Sequence, residues 1–292
     1  MAQQATLIDG KAVAQVVQDR CAEKVRKIIE ETGVTPCLAT VLVGNDPASE
    51  KYVDSKGRLC AKLGMKSVKV HLPETTDTEQ LIAKLTELGE DESVHGILLQ
   101  HPVPEQIDER AAFEAIPGHK DVDGVTFHSF GTVFFDLPGF GSCTPAGIMK
   151  LLDAYDVPIK GAHAVVIGRS AILGKPMAGM LLARHATVTI CHSRTVDLPS
   201  VVRLADIVVA AVGRPKFVHG DWLKPGAVVI DAGFNPGPGG KGSIGDVDFD
   251  SAILVASKIT PVPGGVGPMT LAVLVDQTAD AAAQQLDIDL HG

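Results

Sequence analysis

Short apolar runs alternate with amphipathic stretches along most of the chain. Residues 37–44 (CLATVLVG), 67–72 (SVKVHL) and 95–100 (HGILLQ) read as strands, because brief runs of aliphatic and β-branched residues bounded by turn formers suit a covered, pleated surface. Helical segments beginning near Pro47 and Thr78 separate them, which makes one βαβ set. A second set follows with strands over 162–168 (AHAVVIG), 186–191 (ATVTIC), 206–212 (DIVVAAV) and 227–233 (AVVIDAG). The Gly- and Pro-rich stretch DLPGFGSCTPAG (136–147) separates the sets and marks a domain boundary. We therefore expect one domain over residues 1–141 and a second over 142–269. Residues 267–286 have helical composition with a long apolar face, and a C-terminal helix over about 270–292 is expected to return to the first domain. The stretch 235–245 (NPGPGGKGSIG) reads as a loop.

Composition narrows the fold to the α/β class. With 292 residues, 45% of them hydrophobic, the chain can bury a large core, and with aromatics at only 4% the packing must rest on Val, Ile, Leu and Ala. That is the filling of helix-covered parallel sheets. The net charge of −9 argues against nucleic acid or an acidic membrane surface as partner, although a locally basic pocket for a small anion remains allowed. Five cysteines (Cys21, Cys37, Cys60, Cys143 and Cys191) without a C-x-x-C pair suit reduced thiols better than disulfides or a zinc site. Neither a basic, apolar leader nor a run of the ~20 apolar residues that a membrane span needs is present, so a soluble, cytoplasmic protein is expected.

Two stretches carry candidate chemistry. In VVIGRSAILGKP (165–176), Gly168 ends a strand, Gly174 follows six residues later and Pro176 suits a first helical turn, the layout of a phosphate-binding strand-turn-helix. Five residues separate the glycines and Pro follows the Lys, so a nucleoside-triphosphate loop is excluded. Ser170 stands where a dinucleotide fingerprint carries its second Gly, and an ordinary strand-turn-helix joint remains open on this motif alone. The next strand ends in His192, Ser193, Arg194 and Thr195, with no acid to hold a ribose hydroxyl or repel a 2′-phosphate. Together with Arg169 this points to NADP.

The second stretch, GNDPASEKYVDSKGRLCAKLG (44–64), reads as a helix capped by Asp46, with Pro47 in the first turn and Gly64 at its end. Tyr52 and Lys56 are four apart and share a face, and Gly57 inside the helix is explained if something passes close to the backbone. A partly desolvated Lys beside a neutral partner is suited to acid/base chemistry near neutral pH, and Gln100, at the end of a predicted strand, offers that partner. Spacing alone favours a lysine on a solvated helix face over a site residue. Asp121 and Asp123 in HKDVDGV are turn formers or site acids, and nothing around them makes a metal cluster.

Taken together, VGNDPASEKYVDSKGRLCAKLG, GILLQHPVP, KDVDG, CTPAG, VVIGRSAILGKPMAG, TVTICHSRT, ADIVVAAVGRP, VVIDAGFN, GDVDF and ITPVPGGVGPMT resemble the bifunctional methylenetetrahydrofolate dehydrogenase/methenyltetrahydrofolate cyclohydrolase family, in the family's order from about residue 40 to 275. The resemblance implies an N-terminal α/β folate-binding domain, a Rossmann-like NADP-binding domain, a cleft between them and a homodimer. It implies oxidation of 5,10-methylenetetrahydrofolate with NADP and hydrolysis of the methenyl product to 10-formyltetrahydrofolate, within one-carbon metabolism. It casts Lys56 as the cyclohydrolase acid/base, Tyr52 over the substrate, Gln100 tuning the Lys and Asp123 anchoring the pterin. Pro263, Gly264 and Gly265 would line the substrate region. Thr144, Gly168, Arg169, Ser170, Gly174, Pro176, Ser193, Arg194, Gly213 and Gly233 would face the cofactor, with Cys143 beside the nicotinamide. The chain departs from the family at His101 and Val103 of QHPVP, at Arg58 and over 125–131 (VTFHSFG), all near the folate side. A dehydrogenase without cyclohydrolase activity and a non-catalytic binding homologue are the competing readings.

Overall fold

The structure is a computed structural model that describes residues 4–237 and 242–290. In chain order its first half contains β1 (Thr6–Leu7), α1 (Gly10–Thr32), β2 (Cys37–Val43), α2 (Pro47–Lys62), β3 (Lys66–Leu72), α3 (Thr78–Glu90), β4 (Gly96–Leu99), α4 (Glu109–Glu114) and α5 (Phe127–Phe135). The second half contains α6 (Cys143–Ala154), β5 (His163–Ile167), α7 (Gly174–Ala183), β6 (Thr187–Cys191), α8 (Leu198–Val202), β7 (Ile207–Ala210), β8 (Val228–Asp231), β9 (Asn235–Pro236), β10 (Ser243–Ile244), α9 (Phe249–Ala252), β11 (Lys258–Ile259) and α10 (Val266–Gln285). The chain divides into two compact units, each with its own sheet.

One unit holds Val16–Thr132, Pro138–Gly141 and the chain from Leu271 onward. Its three-stranded parallel sheet runs β3-β2-β4. The central strand β2 is buried at every position, as its unbroken apolar run requires. At the edge, β3 carries Lys66, Ser67, Lys69 and His71 among its exposed residues, polar decoration that discourages pairing with another chain. Asp77 caps α3 through the Gln80 N–H at 2.8 Å while the Gln80 side chain returns to the Asp77 N–H at 3.1 Å, so the entry of that helix is set locally.

The other unit holds the chain up to Gln15, Val133–Leu137 and Ser142–Thr270. Its six-stranded sheet, order β1-β11-β8-β7-β5-β6, is parallel throughout. Val165, Ile167, Val208, Ala210, Val229 and Ile259 fill its core. The chain leaves β5 toward β6 and returns past it to β7, so the connections diverge between β5 and β7. The crevice at the carboxyl ends of these two strands is where open parallel sheets gather ligands.

Every strand expected from periodicity is present within a residue or two. Residues 1–141 do not form one block, however. Thr6 and Leu7 pair with Lys258 and Ile259, which places the segment up to Gln15 in the six-stranded unit. A two-residue edge strand has no period to read, so only its distant partner reveals it. Val133–Leu137 joins the same unit because Gly179 on α7 leaves room for Phe134, whose ring would lie 3.0 Å from any Cβ there. Of the expected loop over 235–245, residues 238–241 lie outside the described residues, and its flanks pair as the antiparallel strands β9 and β10.

Candidate active site

The helix α2 is built as its sequence dictates. Asp46 Oδ2 accepts the Ser49 N–H at 2.8 Å, Pro47 opens the first turn and Gly64, at φ 78°, follows the last turn in the left-handed region. This fixes the rotation of the helix and so the face carrying Tyr52 and Lys56. Lys56 Nζ donates to Gln100 Oε1 at 2.7 Å. Gln100 is held in both side chain and main chain: its Nε2 donates to the His101 carbonyl at 2.8 Å and its backbone N–H to Val41 O at 2.8 Å. With Nε2 committed to a carbonyl, the oxygen is the end that faces the amine. Lys56 is half-buried, and Tyr52 is 42% exposed with its phenol pushed up by burial. The reading of Lys56 as an amine on a solvated face therefore gives way to one with a fixed neutral partner.

The two acids of KDVDG separate into different roles. Asp121 is fully buried and accepts from the Val125 N–H at 3.1 Å, the Thr126 N–H at 2.9 Å and Ser129 Oγ at 2.6 Å, which secures the entry to α5. Asp123 stays half-buried at the turn through Gly124. Its neighbour Val122 packs on Gly96 at the start of β4, and the Val122 carbonyl accepts from Gln277 Nε2 at 2.7 Å.

Gly57 differs from the expectation. Among the described residues a Cβ there would meet only Ser67 Oγ at 3.7 Å, so none of them requires a glycine. Gly57→Ala is expected to raise stability by about 0.5–1 kcal/mol through its helix propensity, read as a higher urea midpoint. A lower midpoint would show that the helix does not tolerate the methyl group.

In the six-stranded unit, the glycine-rich loop is dictated by close backbone approach. At Gly168, with φ 130°, a Cβ would lie 2.1 Å from Ala211 O, so the carboxyl ends of β5 and β7 touch only because Gly stands there. A Cβ on Gly174 would lie 2.3 Å from Gly168 O, so the two glycines of the motif pack on one another. Ser170 Oγ accepts from the N–H groups of Leu173 at 3.2 Å and Gly174 at 3.3 Å, occupying donors that a dinucleotide loop would turn outward. Gly174 and Pro176 are buried, and the Gly233 N–H is taken by Asp231 Oδ1 at 2.9 Å. These residues shape the loops from inside.

A recess of about 250 Å³ opens at the carboxyl ends of β5 and β7. Of the residues expected to face a cofactor, Gly168, Arg169 and Ser193 line it. His192, Arg214 and Phe217 line it too, and the motifs did not single out the last two. The signal was topological: Arg214 and Phe217 follow the strand on the far side of the divergence from β5. The His192–Thr195 turn is closed by its own bonds, His192 N–H to Thr195 Oγ1 at 2.9 Å and Arg194 N–H to His192 Nδ1 at 3.1 Å, while Ser193 and Arg194 remain exposed.

Two buried carboxylates hold the loops around the recess. Asp246 Oδ2 accepts the N–H groups of Val212 and Gly213 at 2.6 and 2.9 Å, and Oδ1 accepts the Arg214 N–H and Asn235 Nδ2, both at 2.9 Å. Asp231 accepts the N–H groups of Gly233, Asp246 and Val247, each at 2.9 Å. Burial nevertheless pushes the Asp231 carboxyl up to about 6, outweighing the amides that pull it down. Elsewhere in the unit, Thr144 Oγ1 meets Thr270 Oγ1 at 2.9 Å and Cys143 is buried. Gly265 packs so tightly against Gly10 that a Cβ on Gly10 would fall 1.7 Å from its carbonyl oxygen, which ties the Pro263–Gly265 turn to the start of α1. Pro263 itself is exposed.

Residues 8–123 match the model of the tetrahydrofolate dehydrogenase/cyclohydrolase catalytic domain, and residues 142–286 that of the same family's NAD(P)-binding domain. The chain is 60% identical to bifunctional protein FolD 1 of Streptomyces avermitilis, covering 98% of each. It is 56% identical to bifunctional protein FolD of Acidobacterium capsulatum, covering 97% of this chain and 99% of that one. Among solved structures, the FolD methylenetetrahydrofolate dehydrogenase/cyclohydrolase of Campylobacter jejuni superposes with a TM-score of 0.93 at 43% identity, over 96% of this chain and 99% of that one. The Trypanosoma brucei enzyme complexed with NADP cofactor and inhibitor also superposes at 0.93, with 37% identity over 97% of this chain and 99% of that one.

Proposed function

Since the chain belongs to the tetrahydrofolate dehydrogenase/cyclohydrolase family, we propose that it oxidises 5,10-methylenetetrahydrofolate with NADP and hydrolyses the methenyl product to 10-formyltetrahydrofolate. The observation that carries this reading is the Lys56–Gln100 bond at 2.7 Å. A carboxylate partner would lock the amine in its charged form, whereas an amide oxygen steadies it and leaves it able to exchange a proton.

The six-stranded unit suits a phosphate-bearing dinucleotide. Its recess brings Arg169, His192, Ser193 and Arg214 to the carboxyl ends of two adjacent parallel strands, with no lining carboxylate among the described residues. NADP, when bound, supplies the acceptor for the hydride that leaves the one-carbon bridge. The residues of this unit bind and orient. Ser193 and Arg194 are exposed beside the recess for a 2′-phosphate, and the Pro263–Gly265 turn, with Cys143 and Thr144, belongs to the nicotinamide and substrate side.

In the three-stranded unit Asp123 anchors the pterin ring and Tyr52 covers it. Water then adds to the methenyl carbon; Lys56 accepts a proton from it, directly or through Tyr52, and delivers one to the ring nitrogen as the ring opens. The departures at His101, Val103, Arg58 and 125–131 bear on folate affinity and on the balance of the two steps. We place the protein in the cytoplasm as a homodimer acting on a small folate, with no nucleic-acid or membrane partner. Among the described residues, no helix is long and apolar enough to cross a membrane.

Incubating the protein with methylenetetrahydrofolate and NADP is expected to yield NADPH and then 10-formyltetrahydrofolate. Accumulation of the methenyl cation at no more than its spontaneous rate of hydrolysis would leave a dehydrogenase alone, and no NADPH would leave a binding protein.

A further inference from the structure

The recess between the carboxyl ends of β5 and β7 contains a cation that the nucleotide motifs did not announce. Arg214 lines it together with Arg169 and His192, and no acid lines it among the described residues, in a chain whose net charge is −9. The guanidinium carbon of Arg214 lies 4.3 Å from the centroid of the Phe217 ring, which also lines the recess. Stacking on a ring covers one face of a guanidinium and leaves its N–H edge for an anion, with less side-chain freedom left to lose on binding. The backbone is fixed as well, because the Arg214 N–H donates to the buried Asp246 carboxylate at 2.9 Å, the same group that holds Val212 and Gly213. A side chain pinned at its root by a buried acid and along its length by a ring is built to present charge at one place. The walls beside it, Ile167, Leu198 and Val212, are apolar and suit a flat base.

We propose that Arg214 is a specificity-determining residue for a phosphate on the 2′ position of an adenosine ribose, acting with Arg169. Phe217 and Asp246 are its positioning residues. This rests on the reading of the six-stranded unit as an NADP site and adds to it a third arginine, outside the Gly-rich loop and the Ser193–Arg194 turn.

The test is calorimetric titration of the full chain with 2′,5′-ADP and with 5′-AMP, which differ only in the 2′-phosphate. The unaltered protein is expected to prefer 2′,5′-ADP. Arg214→Gln is expected to weaken 2′,5′-ADP binding roughly ten- to a hundredfold, as loss of a charge-assisted contact does, and to change 5′-AMP binding by no more than about twofold. Arg214→Lys, which keeps the charge and loses the fork, is expected to fall between the two. Arg214 is exposed, so the thermal unfolding midpoints of both variants are expected to match that of the parent. A preference for 2′,5′-ADP that survives Arg214→Gln would overturn the assignment of Arg214 alone. Equal loss of both ligands would also overturn it, by showing a contact to the base or the 5′-phosphate. An unaltered protein that does not distinguish the two ligands would overturn this inference and the NADP reading beneath it.

Discussion

Replacing Lys56 with methionine is expected to lower methenyl hydrolysis by about 10²–10⁴-fold, the contribution of a positioned proton-transfer group. Hydride transfer, which depends on orientation, is expected to lose less than about tenfold. Methionine keeps the length and apolar stem of the lysine, so the helix face between Tyr52 and Gln100 is retained while the amine and its bond to Gln100 Oε1 are removed. The two rates are separable in one cuvette, since NADPH reports the first step and decay of the methenyl cation, corrected for its spontaneous hydrolysis, the second. Equal loss of both would mean that Lys56 organises the folate site and does not carry a proton. Undiminished hydrolysis would remove the amine from the mechanism altogether.

The largest effect on the fold is expected from Asp246→Ala. The Asp246 carboxylate is fully buried and accepts four donors: the N–H groups of Val212, Gly213 and Arg214 and the Asn235 side chain. Truncation leaves all four facing a small cavity. At about 1–3 kcal/mol for each stranded donor, the loss is about 4 kcal/mol or more, a large share of the 5–15 kcal/mol by which domains are stable. Water entering the cavity would recover part of it. The affected loops also line the nucleotide recess, so 2′,5′-ADP binding is expected to fail together with stability. Urea denaturation checks the first and calorimetry the second; a midpoint unchanged from the parent would show that the amides have other acceptors.

The Asp46 cap, Pro47 in the first turn, Gly64 past the last and the shared face of Tyr52 and Lys56 were readable along the chain, and each is where the local pattern put it. The same holds for Gly168, whose need follows from the turn that leads from a strand toward a helix, although its tight neighbour proved to be Ala211, just past the end of a distant strand. Asp121 and Asp123 were ambiguous in sequence because both precede the same turn. Only the fold separates them, because Asp121 is buried and accepts the Val125 and Thr126 N–H groups that lead into α5 and the Ser129 hydroxyl.

Periodicity, caps and turn residues act over a few positions, so the α/β class, nearly all strands and the chemical identity of the Lys56–Gln100 pair were written locally. What the segment up to Gln15 joins, why Gly233, where a Cβ would lie 2.3 Å from Asp246 Cγ, must lack a side chain, and how Arg214 and Phe217 come to line a recess with Arg169 depended on the assembled sheet. Each arises where loops from strands far apart in sequence converge on one buried carboxylate or one crevice. A long-range partner leaves no period along the chain, because its energy appears only when both strands are in place.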